Sequence, residues 1–197
     1  VASAAQCFRR QHPKVCFELD LGARVVSLAD READLALRTV DRRESSLIYR
    51  RLGELRYALW ASRGYLRRAG MPRAGESLRC HDVVGYLAPL HAHPAGSWLS
   101  SLGGSNVSVG GNAHAAVLAA AHAGAGIAAL PDVNGKGLVR IWPEVNGPVL
   151  PVYLVSDREA MRQPHIQAFA REFADRVRLL LAGPDRAVRS SAQRRSV

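Results

Sequence analysis

Histidine and cysteine are the residue types with the widest chemistry in this sequence, and their spacing favours neither a metal site nor a redox pair. His91 and His93 are separated by one residue, but no cysteine or carboxylate lies near them in the sequence, which makes them a weak metal signal. Cys7 and Cys16 fall on a predicted helix and a predicted strand, so two separate buried thiols are favoured over a redox switch. We therefore expect no metal.

Sequence motifs that carry catalysis or bind a cofactor are also missing. The chain contains no GxSxG nucleophile elbow, no GxxxxGK[ST] phosphate loop and no HExxH zinc motif. Gly124, Ala125 and Gly126 lie between a predicted helix and a predicted strand, which is the wrong order for a dinucleotide-binding turn and typical of a helix C-cap. We expect no cofactor and no enzymatic activity.

Three places in the sequence could hold a ligand without doing chemistry. In open α/β sheets, ligands bind outside the carboxyl ends of strands and at helix N-termini. Residues 20–23 follow one predicted strand, Arg38 ends a second, and the loop at residues 111–114 joins a third strand to a helix that Asn112 would cap. The expected ligand-binding residues are Gly22, Ala23, Arg38, Asn112, Ala113, His114 and Gly126.

Charge is distributed very unevenly over the 197 residues. The chain carries 27 basic and 17 acidic side chains, a formal net charge of +10, yet residues 83–131 carry none. An anion bound in this stretch must therefore be held by backbone amides, hydroxyls or histidine. For Arg38, a structural or solvated role and a ligand contact are about equally favoured.

The uncharged stretch is not expected to cross a membrane. Its most apolar part, residues 113–131, is interrupted by two histidines and two glycines, so a buried helix, a turn and a strand are favoured.

The chain opens without a basic or apolar leader and has three cysteines, which favours the cytoplasm. Basic residues are spread over many elements, so this chain alone is expected to read no DNA sequence.

Hydrophobic period and Gly/Pro punctuation predict the elements that must position these residues. Helices are predicted at residues 2–11, 25–29, 65–69, 113–123 and 166–181, the last ended by Gly183 and Pro184. Strands are predicted at residues 15–19, 34–38, 47–52, 57–61, 106–109, 127–130 and 149–155, with a hairpin or bent pair around Gly53 and Glu54. The alternation predicts an α/β fold with mostly parallel sheets.

Taken in order, several segments resemble the effector-binding domain of LysR-type transcriptional regulators, over about residues 5–181. The matching segments are 8–15 (FRRQHPKV), 17–19 (FEL), 32–38 (EADLALR), 51–53 (RLG), 61–66 (ASRGYL), 70–72 (GMP), 123–131 (AGAGIAALP), 137–140 (GLVR), 152–155 (VYLV) and 167–169 (QAF). Each segment alone is weakly specific, whereas their common order and spacing are specific.

The resemblance implies a two-lobed fold like that of periplasmic binding proteins, with two crossover strands and an effector in the interlobe cleft. Lobe one would be residues 1–57 plus 149–182, lobe two residues 58–148, and residues 183–197 a mobile basic tail. The crossovers would lie at residues 57–61 and near Pro148. The family's cleft positions match Gly22, Arg38 and the Asn112 loop.

The resemblance also implies a ligand-sensing module of a transcription regulator. We expect a small-molecule effector, an organic anion in chemistry, and a homodimer or higher oligomer through lobe one. Its elements at residues 2–11, 15–19 and 163–181 would form that interface. Promoter DNA would be bound only through the winged helix-turn-helix domain of full-length members, which is absent here together with a first strand and a polar loop. The alternative is a transport-type solute-binding protein of the same fold, which would need a secretory leader or a lipid anchor.

Overall fold

The computed structural model describes residues 1–22, 24–40 and 44–193, with side chains described as far as residue 182. The chain divides into two compact units. Unit 1 comprises Val1–Asp20, Val25–Leu55 and Leu150–Val197, and unit 2 comprises Leu21–Arg24 and Arg56–Val149. The predicted lobe boundaries lie within two residues of the main unit boundaries. That the units act as effector-binding lobes stays a prediction.

Within the described residues, helices alternate with strands along most of the chain. The helices are α1 (Ala2–Gln11), α2 (Arg63–Ala69), α3 (Pro94–Ser101), α4 (His114–Ala123) and α5 (Pro164–Gln193). The strands are β1 (Leu35–Arg38), β2 (Leu47–Ala61), β3 (Val83–Tyr86), β4 (Val107–Gly111), β5 (Ala128–Pro131), β6 (Val139–Ile141) and β7 (Val149–Asp157). In the part of the chain described, no helix is both long and apolar enough to cross a membrane.

Phenylalanine rings from α1 and α5 form the core of unit 1. Phe8 meets Phe169 with ring centroids 5.3 Å apart, and Phe169 stacks on Phe173 at 5.4 Å. Ala174, on the same helix, is fully buried, so its small side chain leaves room for the rings. The helical spacing of these residues gives α5 one apolar face, which packs against α1.

The strand predicted at residues 15–19 is wrong, because this segment has no regular secondary structure. Phe17 instead packs against Phe8 and Phe169, with ring centroids 6.1 and 4.6 Å away. The alternating apolar residues that suggested a strand therefore cover the core of unit 1 without joining a ladder. The edge strand expected in a dimer interface is lost with it.

The helix predicted at residues 25–29 is also wrong, because Ser27 forms a turn. Its hydroxyl donates to Asp30 Oδ2 at 2.7 Å, and its backbone N–H donates to Glu32 Oε2 at 2.9 Å. Serine and aspartate side chains that bond to nearby groups compete with helix formation, which apolar spacing alone does not reveal.

The predicted hairpin around Gly53 and Glu54 is absent, since β2 is one continuous strand of 15 residues. Leu181 of α5 lies against Gly53, where a Cβ would come within 3.2 Å of its side chain. Gly53 therefore serves close packing on α5 and makes no turn. Both apolar runs find strand partners, so the chain has no reason to fold back between them.

The predicted end of the last helix at Gly183 and Pro184 is wrong, because the backbone of α5 continues to Gln193. A proline removes one helical hydrogen bond. When helix-forming residues follow the proline, this loss bends the helix more readily than it ends it. Residues 194–197 of the predicted mobile tail lie outside the described residues, and the mobility of this segment stays a prediction.

The prediction of mostly parallel sheets needs correction. In unit 1, β1 pairs antiparallel with β7, and in unit 2 the end of β2 lies between β5 and β6, antiparallel to both. Parallel pairing is found between β3 and β4 and at a bridge from Val83 to Ile127. The spacing of apolar residues indicates which face of a strand is buried and says nothing of the strand's direction, so the antiparallel pairing could not be predicted from it.

The C-terminal end of α4 is fixed as predicted. Gly124 takes the left-handed conformation, with φ of +83°, at the C-cap. Arg68 of α2 donates from Nη2 to the carbonyl oxygen of Gly124 at 2.9 Å. This cation at a helix C-terminus satisfies an open carbonyl and complements the helix dipole.

Gly126 lies in close contact with the chain before β3. A Cβ at this position would come within 2.5 Å of the Asp82 carbonyl oxygen, which accepts a hydrogen bond from the Ile127 N–H at 2.9 Å. The structure thus gives Gly126 a packing role, while its predicted contact with a ligand stays a prediction.

Gly126→Ala is expected to lower the free energy of unfolding by about 1–3 kcal/mol, because backbone atoms must shift to admit the methyl group. Gly64→Ala is the matched control: this position in α2 has no atom closer than 3.8 Å to an added Cβ. Alanine there should stabilise by about 0.5–1 kcal/mol. Urea unfolding of both variants measures this, and an unchanged Gly126→Ala midpoint would contradict the packing role.

Candidate functional site

Two histidines in the uncharged stretch of unit 2 lie at the starts of two helices. His93 is the N-cap of α3, and His114 is the first residue of α4. Their rings meet edge to face, with centroids 5.0 Å apart and an angle of 82° between planes. Open backbone amides are found at the start of α4 and not at the start of α3, where Pro94 has no N–H and the N–H groups of Ala95, Gly96 and Ser97 all donate to His93.

Two buried tyrosines complete what we call the four-ring cluster, consisting of His93, His114, Tyr57 and Tyr86. Tyr57 of β2 is 2% exposed and lies 5.3 Å from His93 and 6.3 Å from His114, measured between ring centroids. Tyr86 of β3 is 8% exposed and lies 5.5 and 5.4 Å from the same two rings. The tyrosines thus form a wall against which both half-buried imidazoles pack.

Hydrogen bonds assign the proton on His93. Its Nδ1 accepts from the backbone N–H of Ala95 at 3.2 Å, so in the neutral ring the proton belongs to Nε2. Nε2–H then donates to the Tyr57 hydroxyl oxygen at 3.3 Å. The hydroxyl hydrogen of Tyr57 has no acceptor in the hydrogen bonds of the described residues.

The same reasoning assigns the opposite tautomer to His114. The Tyr86 hydroxyl donates to the carbonyl oxygen of Ala129 at 2.8 Å, so towards His114 it acts as an acceptor. Nδ1–H of His114 therefore donates to it at 3.3 Å, and Nε2 is left as an acceptor that takes part in none of the hydrogen bonds found among the described residues.

Burial keeps all four rings uncharged near neutral pH. It lowers the pKa of His93 to about 4, with a further contribution from His114, and it also lowers the pKa of His114. Burial raises the pKa of both Tyr57 and Tyr86 above the ordinary value of 10.0. The cluster offers one donor and one acceptor without net charge.

Of the predicted site residues, His114 belongs to the four-ring cluster, with Ala113 and Asn112 immediately before it. Asn112 does not cap α4: the N-cap is Ala113, which makes no side-chain cap hydrogen bond, and Asn112 is exposed. The reason is that β4 extends to Gly111, so the helix begins one residue later than predicted.

The predicted residues outside α4 are placed differently. Arg38, in unit 1, is occupied by internal contacts: Nη1 donates to Glu44 Oε1 at 2.9 Å and to the Tyr49 hydroxyl at 3.2 Å, and Nη2 donates to the Val26 carbonyl oxygen at 3.2 Å. The structural pairing weighed for Arg38 is therefore present. Gly22 lies in an exposed segment without regular structure, and Ala23 lies outside the described residues.

Sequence reasoning missed three members of the cluster. His93 was considered only with His91 as a weak metal pair, and within the described residues no group of three potential metal ligands is found. Tyr57 and Tyr86 carry no local signal, because what makes them functional candidates is their approach to histidines 36 and 28 residues away in sequence.

Acid should destabilise the fold through His93. Because its folded-state pKa, about 4, lies below the ordinary 6.5, the unfolded chain binds the proton first, and stability falls as the pH drops from about 6.5 towards 4. His93→Asn keeps an acceptor for the Ala95 N–H and removes the titration. Its melting temperature should fall less over this range than that of the native chain.

The matched control for that comparison is His91→Asn, an exposed histidine two residues earlier in the chain. Melting curves from pH 7 to 4.5 should give this control the slope of the native chain. Equal slopes for all three proteins would show that His93 is not responsible.

Known proteins share this sequence and fold. Residues 1–178 match the family described as the LysR substrate binding domain. An HTH-type transcriptional regulator from Xanthomonas campestris pv. campestris is 29% identical over 175 residues, which covers 82% of this chain and 51% of the relative. The HTH-type transcriptional regulator CrgA from Neisseria meningitidis serogroup C is 30% identical over 89 residues, covering 45% of this chain and 30% of the relative. The chain therefore spans about half the length, or less, of these curated relatives.

Solved structures agree with the fold. The regulatory domain of CrgA from Neisseria meningitidis superposes with a TM-score of 0.74 at 21% identity, covering 89% of this chain and 90% of that one. The regulatory domain of AphB from Vibrio vulnificus gives a TM-score of 0.62 at 21% identity, covering 87% and 89%. These likenesses confirm the predicted α/β fold of periplasmic-binding-protein type. The match over residues 1–178 shows that this chain belongs to the LysR substrate binding domain family.

Proposed function

We propose that this domain senses a small organic acid, which binds at the start of α4 beside the four-ring cluster and thereby controls a transcription regulator. The observation that carries the proposal is the cluster itself. It brings the Tyr57 hydroxyl hydrogen and the unpaired Nε2 of His114 to a helix N-terminus within a stretch that has no charged side chain.

An anion is favoured because no side chain caps the first amides of α4. The N–H groups of Ala116 and Val117 donate to the Ala113 carbonyl oxygen, whereas those of His114 and Ala115 have no partner in the hydrogen bonds of the described residues. Open amides and the positive end of the helix dipole both attract negative charge. The proposal does not use Arg38, because its guanidinium is already paired with Glu44.

In the proposed regulator, effector binding shifts an equilibrium between conformations of this domain and so alters a DNA-binding segment encoded outside residues 1–197. The regulator would act in the cytoplasm, without catalysis. This chain spans 51% of its Xanthomonas relative, which leaves room for a helix-turn-helix segment in a protein of that length.

The alternative from another class is a transport-type solute-binding protein of the same fold. The reading frame upstream of residue 1 discriminates between the two. A helix-turn-helix segment there supports the regulator, and a secretory leader or a lipid-attachment cysteine would replace it with the transport protein.

A panel of matched acids and amides tests the effector class. Acetate, succinate and benzoate should each be compared with acetamide, succinamide and benzamide by thermal shift at pH 6.5. Because the first amides of α4 attract charge, at least one carboxylate should raise the melting temperature more than its amide. Stabilisation by amides alone, or indifference to all six compounds, would contradict an organic-acid effector.

We also propose that unit 1 forms a homodimer through α5. Leu179 and Leu180 are 73% and 64% exposed on this helix, and neighbouring apolar side chains on a surface are typical of an interface. Replacing both with glutamate should convert a dimer into a monomer in sedimentation velocity. Val107→Glu, at an exposed apolar position of unit 2, is the control and should leave the dimer intact. A native chain that is monomeric at all concentrations would contradict the proposal.

A further inference from the structure

The elements around α4 offer no charged partner for His114. Helix α4 packs against β3, β4 and β5, and the only ionisable side chain on these three strands is Tyr86. The other titratable groups facing His114 are Tyr57 from β2 and His93 at the start of α3. All three are uncharged near neutral pH, so nothing in this set would stabilise a cationic imidazole. A ligand's negative charge would be the first counter-ion available to it.

His93 is not suited to take up a proton. Its Nδ1 accepts the Ala95 N–H, which caps α3, and its Nε2 already carries the hydrogen donated to Tyr57. A second proton would have to go to Nδ1. The hydrogen bond that caps α3 would then be replaced by two N–H groups, those of His93 Nδ1 and Ala95, that point at each other.

In His114 the roles of the two ring nitrogens are reversed, and protonation breaks no hydrogen bond of the ring. Nδ1–H already donates to Tyr86, whose own hydrogen is directed to the Ala129 carbonyl oxygen. A proton on Nε2 leaves both bonds in place and creates a second donor. Without a ligand, burial and the positive end of the α4 dipole oppose that charge.

We propose that an organic anion binds at the start of α4 together with one proton, which Nε2 of His114 takes from solvent. The imidazolium and the carboxylate then form a charge-assisted hydrogen bond, the strongest kind available to this site. This inference rests on the proposed function and adds its regulation: effector binding and proton binding are thermodynamically coupled, so acidification strengthens the response to the effector.

The sign of the coupling follows from the two states of His114. In the free domain its pKa is lowered by burial, and in the complex the anion raises it. Between the two pKa values the complex holds a proton that the free domain lacks. The dissociation constant should therefore fall by up to about tenfold for each unit that the pH is lowered within this window.

Isothermal titration calorimetry measures the proton directly. The carboxylate among acetate, succinate and benzoate that gives the largest thermal shift is titrated at pH 7 in Bis-Tris and in Tris, two cationic buffers whose ionisation enthalpies differ. The observed heats should differ between buffers and correspond to an uptake of roughly 0.5–1 proton per anion. Titrations from pH 8 to 6 should show the falling dissociation constant.

His114→Asn separates the proton from the rest of the site. Asparagine can still donate to Tyr86 but does not titrate, so the variant should bind more weakly and lose both the proton uptake and the pH dependence. His114→Gln gives a second non-titrating side chain should the first variant fold poorly. The control is His122→Asn, an exposed histidine in the last turn of the same helix, which should behave as the native domain does.

The outcomes distinguish this inference from the proposed function. Carboxylate binding without proton uptake, or uptake that persists in both His114 variants, would overturn the inference and leave the effector proposal standing. If no carboxylate binds at any pH between 5 and 8, the organic-acid effector and the coupling both fail.

Discussion

Burial of polar rings without a charged neighbour is the constraint on which the four-ring cluster of unit 2 depends. A charged group in such surroundings costs several kcal/mol unless it is paired. The uncharged stretch supplies no pairing group, so both histidines of the four-ring cluster remain neutral and each keeps one tautomer. Because the tautomers are fixed by Ala95 and Tyr86, the donor and the acceptor that a ligand would meet are fixed as well.

In unit 1 a charged side chain is nearly buried, and its charge is paired. Arg38 is nearly buried, with 11% of its side chain exposed, but it is satisfied by a carboxylate, a hydroxyl and a backbone carbonyl. Those bonds hold β1 to the segments at Val26 and Glu44, so the cation contributes to the fold. Of the two roles weighed for Arg38, the structural one is therefore present, whereas the neutral His114 keeps an unpaired nitrogen.

What could be predicted from the sequence depended on whether the signal was local. Helix α1, strand β1 and the Gly124 C-cap follow from period and punctuation and were confirmed. The strand predicted at residues 15–19 was wrong because the apolar residues around Phe17 alternate as in a strand, yet Phe17 packs on α1 and α5. The predicted strand directions were wrong because the alternation of apolar residues does not encode direction. Of the four-ring cluster, His114 was among the predicted site residues because of its place at a helix start, and its role in binding stays a prediction. Tyr57, Tyr86 and His93 were not among them, because their relation to His114 is made only by tertiary contacts.

Helix α4 is anchored at one end and open at the other. Gly124 and the Arg68 guanidinium fix its C-terminus to α2, whereas its first turn is held by no side-chain cap. Substitutions at residues 112–115 therefore leave the contacts at Gly124, nearly three turns away, in place. In the proposed site, the residues that would contact a ligand are thus distinct from Gly124 and Arg68, which hold the other end of the helix. A change of the proposed ligand contacts would therefore leave the capped end of α4 intact.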